Sequence, residues 1–200
     1  MVVSYVGKNI SFLNQQTIFE TKQLGEDDFA EVVNDRQQMV YNTALGIVQN
    51  EEDAEDVTQE VFLKVYEGLK SFRHESSLAT WIYRITITTS LDFEKQKKRQ
   101  KRGGLMQRVF GNAEEYEKPD FFHPGVALDK KEDASVLFFA VRKLPEKQRT
   151  AFLLHKMEGL TNKEIAGIME TTLLAVESLQ VRAKNNLRNY LKEYYTKHFN

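Results

Sequence analysis

The chain has 200 residues, 41% of them apolar, enough for one sizeable core or two small ones, and its lack of cysteine excludes disulfides and thiolate metal sites. Its net charge is only −1, whereas a free-standing DNA binder is usually basic throughout, so any contact with nucleic acid is expected to be local and assisted by a partner. No apolar run approaches the roughly 18 residues of a membrane span. The start, MVVSYVGKNI, lacks the regions and cleavage site of a signal peptide, so a cytoplasmic protein is expected.

After the acidic GEDD, Phe29, Val32, Val33, Val40, Ala44, Ile47 and Val48 recur every three to four residues, as on an amphipathic helix. The next segment, EEDAEDVTQE at 51–60, holds six acids and no base. Val57, Val61, Phe62, Val65 and Leu69 form the buried stripe of a second helix, and Asp56, Glu60, Leu63 and Glu67 fall on its opposite side. Such a face is ordinarily solvated charge. A leucine ringed by carboxylates suits instead the docking of a basic, partly apolar partner helix.

The stretch SFRHESSLATWIYRIT, 71–86, predicts a loop and a third helix capped by Ser76 or Ser77, with Leu78, Trp81, Ile82, Ile85 and Leu91 inward and Tyr83, Arg84 and Thr88 outward. Within it ITITTS alternates like a strand. The Trp81, Ile85 and Leu91 spacing continues on both sides, so helix is preferred. Its end, KQKKRQKR, places six bases and no acid between Lys95 and Arg102. That run is either a solvated helix end or a phosphate-binding surface.

Residues 103–133 break the periodicity with glycine, proline and an excess of acid. The stretch is roughly twice the length at which structureless loops become uncommon within one domain, so a linker between two domains is expected. Beyond it, SVLFFAVRKL and LPEKQRTAFLLHKMEGL predict two helices, with Pro145 in the first turn of the second and Gly159 past its end. Thr161-Asn-Lys-Glu164 is a capping box opening a short helix. After the turn ETT comes a longer helix with Val176, Leu179, Ala183, Leu187 and Tyr190 in one stripe. Short helix, tight turn and longer helix is a helix-turn-helix layout. Its outer face offers Glu177, Ser178, Val181, Arg182, Asn185 and Arg188, with Lys184 beside them, to base edges or phosphates.

Two segments together carry a resemblance. DAEDVTQEVFLKVYEGLKSFRHESSLATWIYRIT with its basic helix end, and LPEKQRTAFLLHKMEGLTNKEIAGIMETTLLAVESLQVRAKNNLRNYL, resemble the extracytoplasmic-function (ECF) group of bacterial RNA polymerase sigma factors of the sigma-70 family. The resemblance implies an all-α chain of two small helical domains joined by a flexible acidic linker. Residues 25–102 are expected to form sigma region 2, 103–133 the linker and 134–195 sigma region 4, with 1–24 an extension of no assigned role.

It also implies roles. Asp53, Asp56, Gln59, Glu60, Leu63 and Lys64 would dock on the clamp helices of core RNA polymerase, whose flap would receive region 4. For opening of the −10 element the resemblance points to Arg73, Ser76, Ser77, Thr80, Tyr83 and Arg84. Trp81 is open to both a core role and a base contact. A melted base can stack on an aromatic ring, worth roughly 1–3 kcal/mol, about what flipping it out costs. Lys95, Lys98, Arg99 and Arg102 would then supply phosphate attraction. Thr161, Lys163 and Thr172 join the outer face of the long helix as the −35 DNA set.

The recognition helix departs from the family's habit: Glu177 stands where a base is frequent, Leu179 where arginine is, Gln180 where leucine is, and Glu170 at the turn's usual glycine. Promoter DNA and core polymerase are the implied partners. Anti-sigma factors are frequent partners in such a family, and no residue here specifies one. The rival reading is a stand-alone helix-turn-helix regulator acting on duplex operators. An enzyme is not expected, because no nucleophile motif, phosphate-cradling glycine loop or His-Glu-x-x-His accompanies the carboxylates, and neither cofactor nor metal is implied.

Overall fold

Helix α1, Glu26–Val48, supplies the wall on which the first half of the chain is built. The computed structural model describes residues 26–105 and 131–199, with side chains for 29–100 and 135–197. Val40 and Ala44 of α1 meet Val57, Val61 and Val65 of α2, Glu51–Leu69, and Ile82 of α3, Leu78–Leu105, all fully buried. At about 1.5–3 kcal/mol for each large aliphatic side chain removed from water, this cluster is the main stabilising element of the first bundle. Asn50 caps α2 through its side-chain oxygen, which accepts from Asp53 N at 2.9 Å. Ser77 does the same for α3, accepting from Thr80 N at 3.1 Å, and settles the choice between the two serines.

The ITITTS stretch is helical. Thr86, Thr89 and Ser90 are buried in α3, and two of their hydroxyls are satisfied within the helix itself: Thr86 Oγ1 donates to Ile82 O at 2.8 Å and Ser90 Oγ to Thr86 O at 2.7 Å. Back-bonding of this kind lets hydroxyls sit in a core without an external partner.

The second half has α4, Lys131–Arg142, α5, Glu146–Lys156, α6, Asn162–Ile168, and α7, Leu173–Phe199. Pro145 precedes α5 as its N-cap residue rather than lying inside its first turn. Gly159 takes φ +69, which allows Leu160 N to donate back to Leu154 O at 3.1 Å and closes α5 with a left-handed turn. The Thr161 capping box is formed in both directions, Glu164 N to Thr161 Oγ1 at 3.3 Å and Thr161 N to Glu164 Oε2 at 2.8 Å.

The described residues contain seven helices and no strand, an all-α fold. The two halves share hydrophobic contacts. Phe138 of α4, 1% exposed, is part of the core formed by α1–α3, and Gln49 Nε2 donates to its carbonyl at 3.0 Å. In return Ile47 of α1 joins Ala140, Val141, Leu144, Leu153 and Leu187. Across the same junction Arg149 of α5 grips Glu94 of α3 bidentately, at 2.6 and 3.3 Å, with both side chains below 10% exposed.

That buried pair yields a stability prediction. Arg149→Ala leaves the Glu94 carboxylate without its cation and is expected to destabilise the protein by about 3–5 kcal/mol, whereas Glu94→Leu with Arg149→Met together restores most of the loss. Chemical denaturation followed by circular dichroism measures both.

Candidate nucleic-acid interface

Three surfaces hold the residues singled out in the sequence. On α2, Asp56, Gln59, Glu60 and Leu63 are exposed, with Leu63 at 65%. Tyr66, 41% exposed, lies one turn further on and rests edge-on against Phe29 with ring centroids 5.1 Å apart. It extends the apolar part of the face, and its position three residues after Leu63 was the available signal. The other two members of the set are engaged within the chain. Lys64 binds Glu60 at 2.7 Å and donates to Thr89 at 3.0 Å, while Asp53 accepts from Lys97 of α3 at 2.6 Å.

The second surface is the loop before α3. Phe72 packs with tilted rings against Trp81 at 5.1 Å and His74 at 4.7 Å between centroids, and the hydroxyls of Ser77 and Thr80 meet at 2.9 Å. Ser76 is part-buried and Arg73 exposed. Trp81 is half-buried over Gly68, where a Cβ would lie 2.8 Å from its ring. That close approach requires glycine and gives the indole a packing role. Tyr83, expected to face outward, is instead 6% exposed, in a cluster with Ala151, Leu154 and Ile165 of α5 and α6. Its hydroxyl donates to Glu158 at 3.2 Å. Arg84 also turns to the second half, donating to Gly167 O at 2.8 Å and pairing with Glu170 at 3.0 Å. The helical period placed both residues correctly away from the first core. What it could not register is that another bundle covers that side.

The basic end of α3 is partly neutralised. Lys95 lies 3.4 Å from Glu146 and Lys97 is held by Asp53, while Lys98 and Arg99 are exposed. The Arg102 side chain lies outside the described residues, as does 106–130, the greater part of the expected acidic linker 103–133. The ends of that stretch are helical, because α3 runs on to Leu105 and α4 begins at Lys131.

The third surface is the helix-turn-helix. Glu170 adopts φ +50, the left-handed conformation for which glycine is the usual residue, and Thr171 N donates to Ala166 O at 3.0 Å across the turn. Thr172 caps α7 by accepting from Ala175 N at 3.2 Å. Gln180 is buried and donates to Asn162 of α6 at 2.8 Å, so a hydrogen bond between the two helices stands where an apolar contact was the family's habit. Thr161, Lys163, Glu177, Ser178, Val181, Arg182, Lys184, Asn185 and Arg188 are all exposed.

A first bundle with an exposed leucine among carboxylates is thus joined to a second that carries a helix-turn-helix. Family models for sigma-70 region 2 and sigma-70 region 4 match residues 32–100 and 137–187. Together they take in more than half of the chain, and it belongs to the sigma-70 family, in the ECF group. The ECF RNA polymerase sigma-E factor of Haemophilus influenzae is 29% identical over 185 residues, covering 90% of this chain and 96% of that protein. Its Escherichia coli K12 counterpart is 28% identical over 181 residues, covering 88% and 94%. Among solved structures, the sigma factor RpoE of Bartonella quintana in complex with the anti-sigma factor NepR aligns with a TM-score of 0.60 at 22% identity, over 82% of this chain and 97% of that one. CnrH in complex with the cytosolic domain of CnrY aligns with a TM-score of 0.60 at 17% identity, over 89% and 95%. These two likenesses concern the fold. The region 2 match sets the chain apart from a stand-alone helix-turn-helix regulator.

The Tyr83–Glu158 contact carries a pH dependence. Burial pushes the Glu158 carboxyl up to about 7, against the opposing hydrogen bond from Tyr83. Burial also raises the Tyr83 hydroxyl, the Glu158 charge adds to this, and Arg36 opposes it. A carboxyl whose pKa is higher in the docked form holds more protons there than when solvated. Docking is therefore favoured most at acid pH, below the ordinary carboxyl value, and weakens as pH rises through about 7. In this cysteine-free chain, fluorophores on Lys70→Cys and Lys192→Cys are expected to show energy transfer falling between pH 5.5 and 8, with Glu158→Gln flattening the profile.

Proposed function

We propose that this chain binds core RNA polymerase through α2, opens the −10 element with the loop and start of α3, and holds the −35 element with α6 and α7. The observation that carries the reading is the presence, on one chain and in this order, of an apolar-acidic docking face and a helix-turn-helix with an exposed cationic flank. Leu63 and Tyr66 supply burial and Asp56, Glu60 and Glu67 steer a basic partner. The protein acts in the cytoplasm and performs no chemistry of its own, lending specificity to the polymerase. An anti-sigma factor, as in the complexes of the two structural neighbours, is a further partner of the same kind of fold.

The packing of the two halves sets a condition on this activity. Elements centred at −10 and −35 are about 25 base pairs apart, or about 85 Å along a duplex. A compact body of about 150 residues, the number described, has a radius of gyration of about 15 Å. The halves must therefore part before both elements are read. Parting also frees Tyr83 and Arg84 from Glu158, Gly167 and Glu170, so the residues assigned to −10 opening become available in the same step.

Run-off transcription with core polymerase, with and without the protein, followed by sequencing of transcript starts, tests the function directly. Initiation from a defined promoter set only when the protein is present is the expected result. Leu63→Arg is expected to reduce co-purification with core polymerase at least tenfold while leaving helical content and melting temperature unchanged. Unaltered co-purification would remove α2 as the docking face.

A further inference from the structure

Large apolar side chains seldom stay exposed without reason, and in the described residues those that do fall mainly on two surfaces, α2 and the start of α7. The second group consists of Leu173 at 49% exposed, Leu174 at 72% and Val181 at 58%. At about 100° per residue, Leu174 and Val181 point the same way, within about 20° of each other, with Asn185 about 20° to the other side of Leu174. Ser178 and Arg182 lie on one flank of this line and Glu177, Lys184 and Arg188 on the other. Buried Val176, Ala183 and Leu187 occupy the opposite side of the helix. The docking of α6 and the Glu170 turn on α3 leaves this line uncovered.

An apolar line edged by cations on a recognition helix matches one chemical surface well. In the major groove the only apolar group at a base edge is the thymine C5 methyl, while phosphates on either side attract Arg182, Lys184 and Arg188. Leu174 and Val181 are about 10.5 Å apart along the axis, close to three base steps. Glu177, between them in height, can only accept hydrogen bonds. It fits an amino group of cytosine or adenine and repels guanine O6 and N7.

We propose that Leu174 and Val181 are specificity-determining residues of the −35 contact, each reading a thymine methyl, at positions about three base pairs apart. The assignment rests on the sigma-factor reading given above. It accounts for the apolar and acidic character of a helix whose counterparts are more basic: affinity comes from the flanking cations, and the centre selects sequence by shape and methyl contact.

The test uses holoenzyme formed from core polymerase and the full chain, with a promoter found by run-off transcription. Each thymine of the −35 region is replaced singly by uracil, which removes only the methyl. Wild-type holoenzyme is expected to lose about fourfold in affinity at two thymines about three base pairs apart, the order expected for burying one carbon. Leu174→Ala is expected to abolish the uracil effect at one position and Val181→Ala at the other, with the remaining effect kept in each. Promoter-specific binding that is insensitive to uracil at every position overturns the methyl assignment and leaves the sigma reading standing. Uracil effects unchanged in both variants overturn it equally. Uracil-insensitive binding with weakened core affinity in Leu174→Arg reassigns the face to a protein contact and likewise overturns it. Holoenzyme without any promoter preference removes the sigma reading and the methyl assignment together.

Discussion

The carboxylate of Glu94 and the guanidinium of Arg149 meet where each is more than nine-tenths withdrawn from water, and the geometry of the two bundles is organised about that meeting. An isolated ion in such a place is costly, so α3 and α5 are held in the one register that brings the two groups together. The register places Tyr83 under Glu158 and Arg84 at the end of α6, and allows Ile47 and Phe138 to exchange cores. Hydrophobic area supplies attraction between the bundles, and the ion pair supplies the alignment.

Fold class was plain from the residues because each half is amphipathic on its own terms. The α2 stripe, the capping box at Thr161 and the stripe of α7 depend only on neighbours three and four residues away, and all are present as read. ITITTS was ambiguous by local preference, and the wider spacing of Trp81, Ile85 and Leu91 decided it correctly. Residues at the junction were harder. Tyr83 looked like a surface residue because one helix knows only two sides, and nothing nearby in sequence announces a second bundle. Glu94 was hidden in a run of charge, where its burial could not be distinguished from its neighbours' exposure. Its partner is 55 positions away.

The same limit explains the uneven outcome at the candidate sites. The outer face of α7 was readable because a recognition helix has one packed side and one open side. The α2 face was readable through Leu63, though two of its charged members proved to be tied down by Lys97, Glu60 and Thr89. At the basic end of α3 composition showed the charges but not their partners. Lys95 and Lys97 serve ion pairs with Glu146 and Asp53, and pairing of that sort depends on tertiary approach rather than on composition.

The contacts between the bundles are unequal in their access to water. Lys95–Glu146 and Arg84–Glu170 are at least one-third exposed on each side, whereas Glu94–Arg149 is shielded. Mobile ions screen the first two and barely touch the third. Added salt thus loosens the rim of the junction while its centre keeps the register. It also displaces the protein from phosphates. Ionic strength consequently acts on this chain twice and with opposite sign, easing the separation of the halves and weakening the grip on the promoter. Exposed pairs are worth at most about 1 kcal/mol each, so the phosphate contacts set the net direction and DNA engagement falls as salt rises.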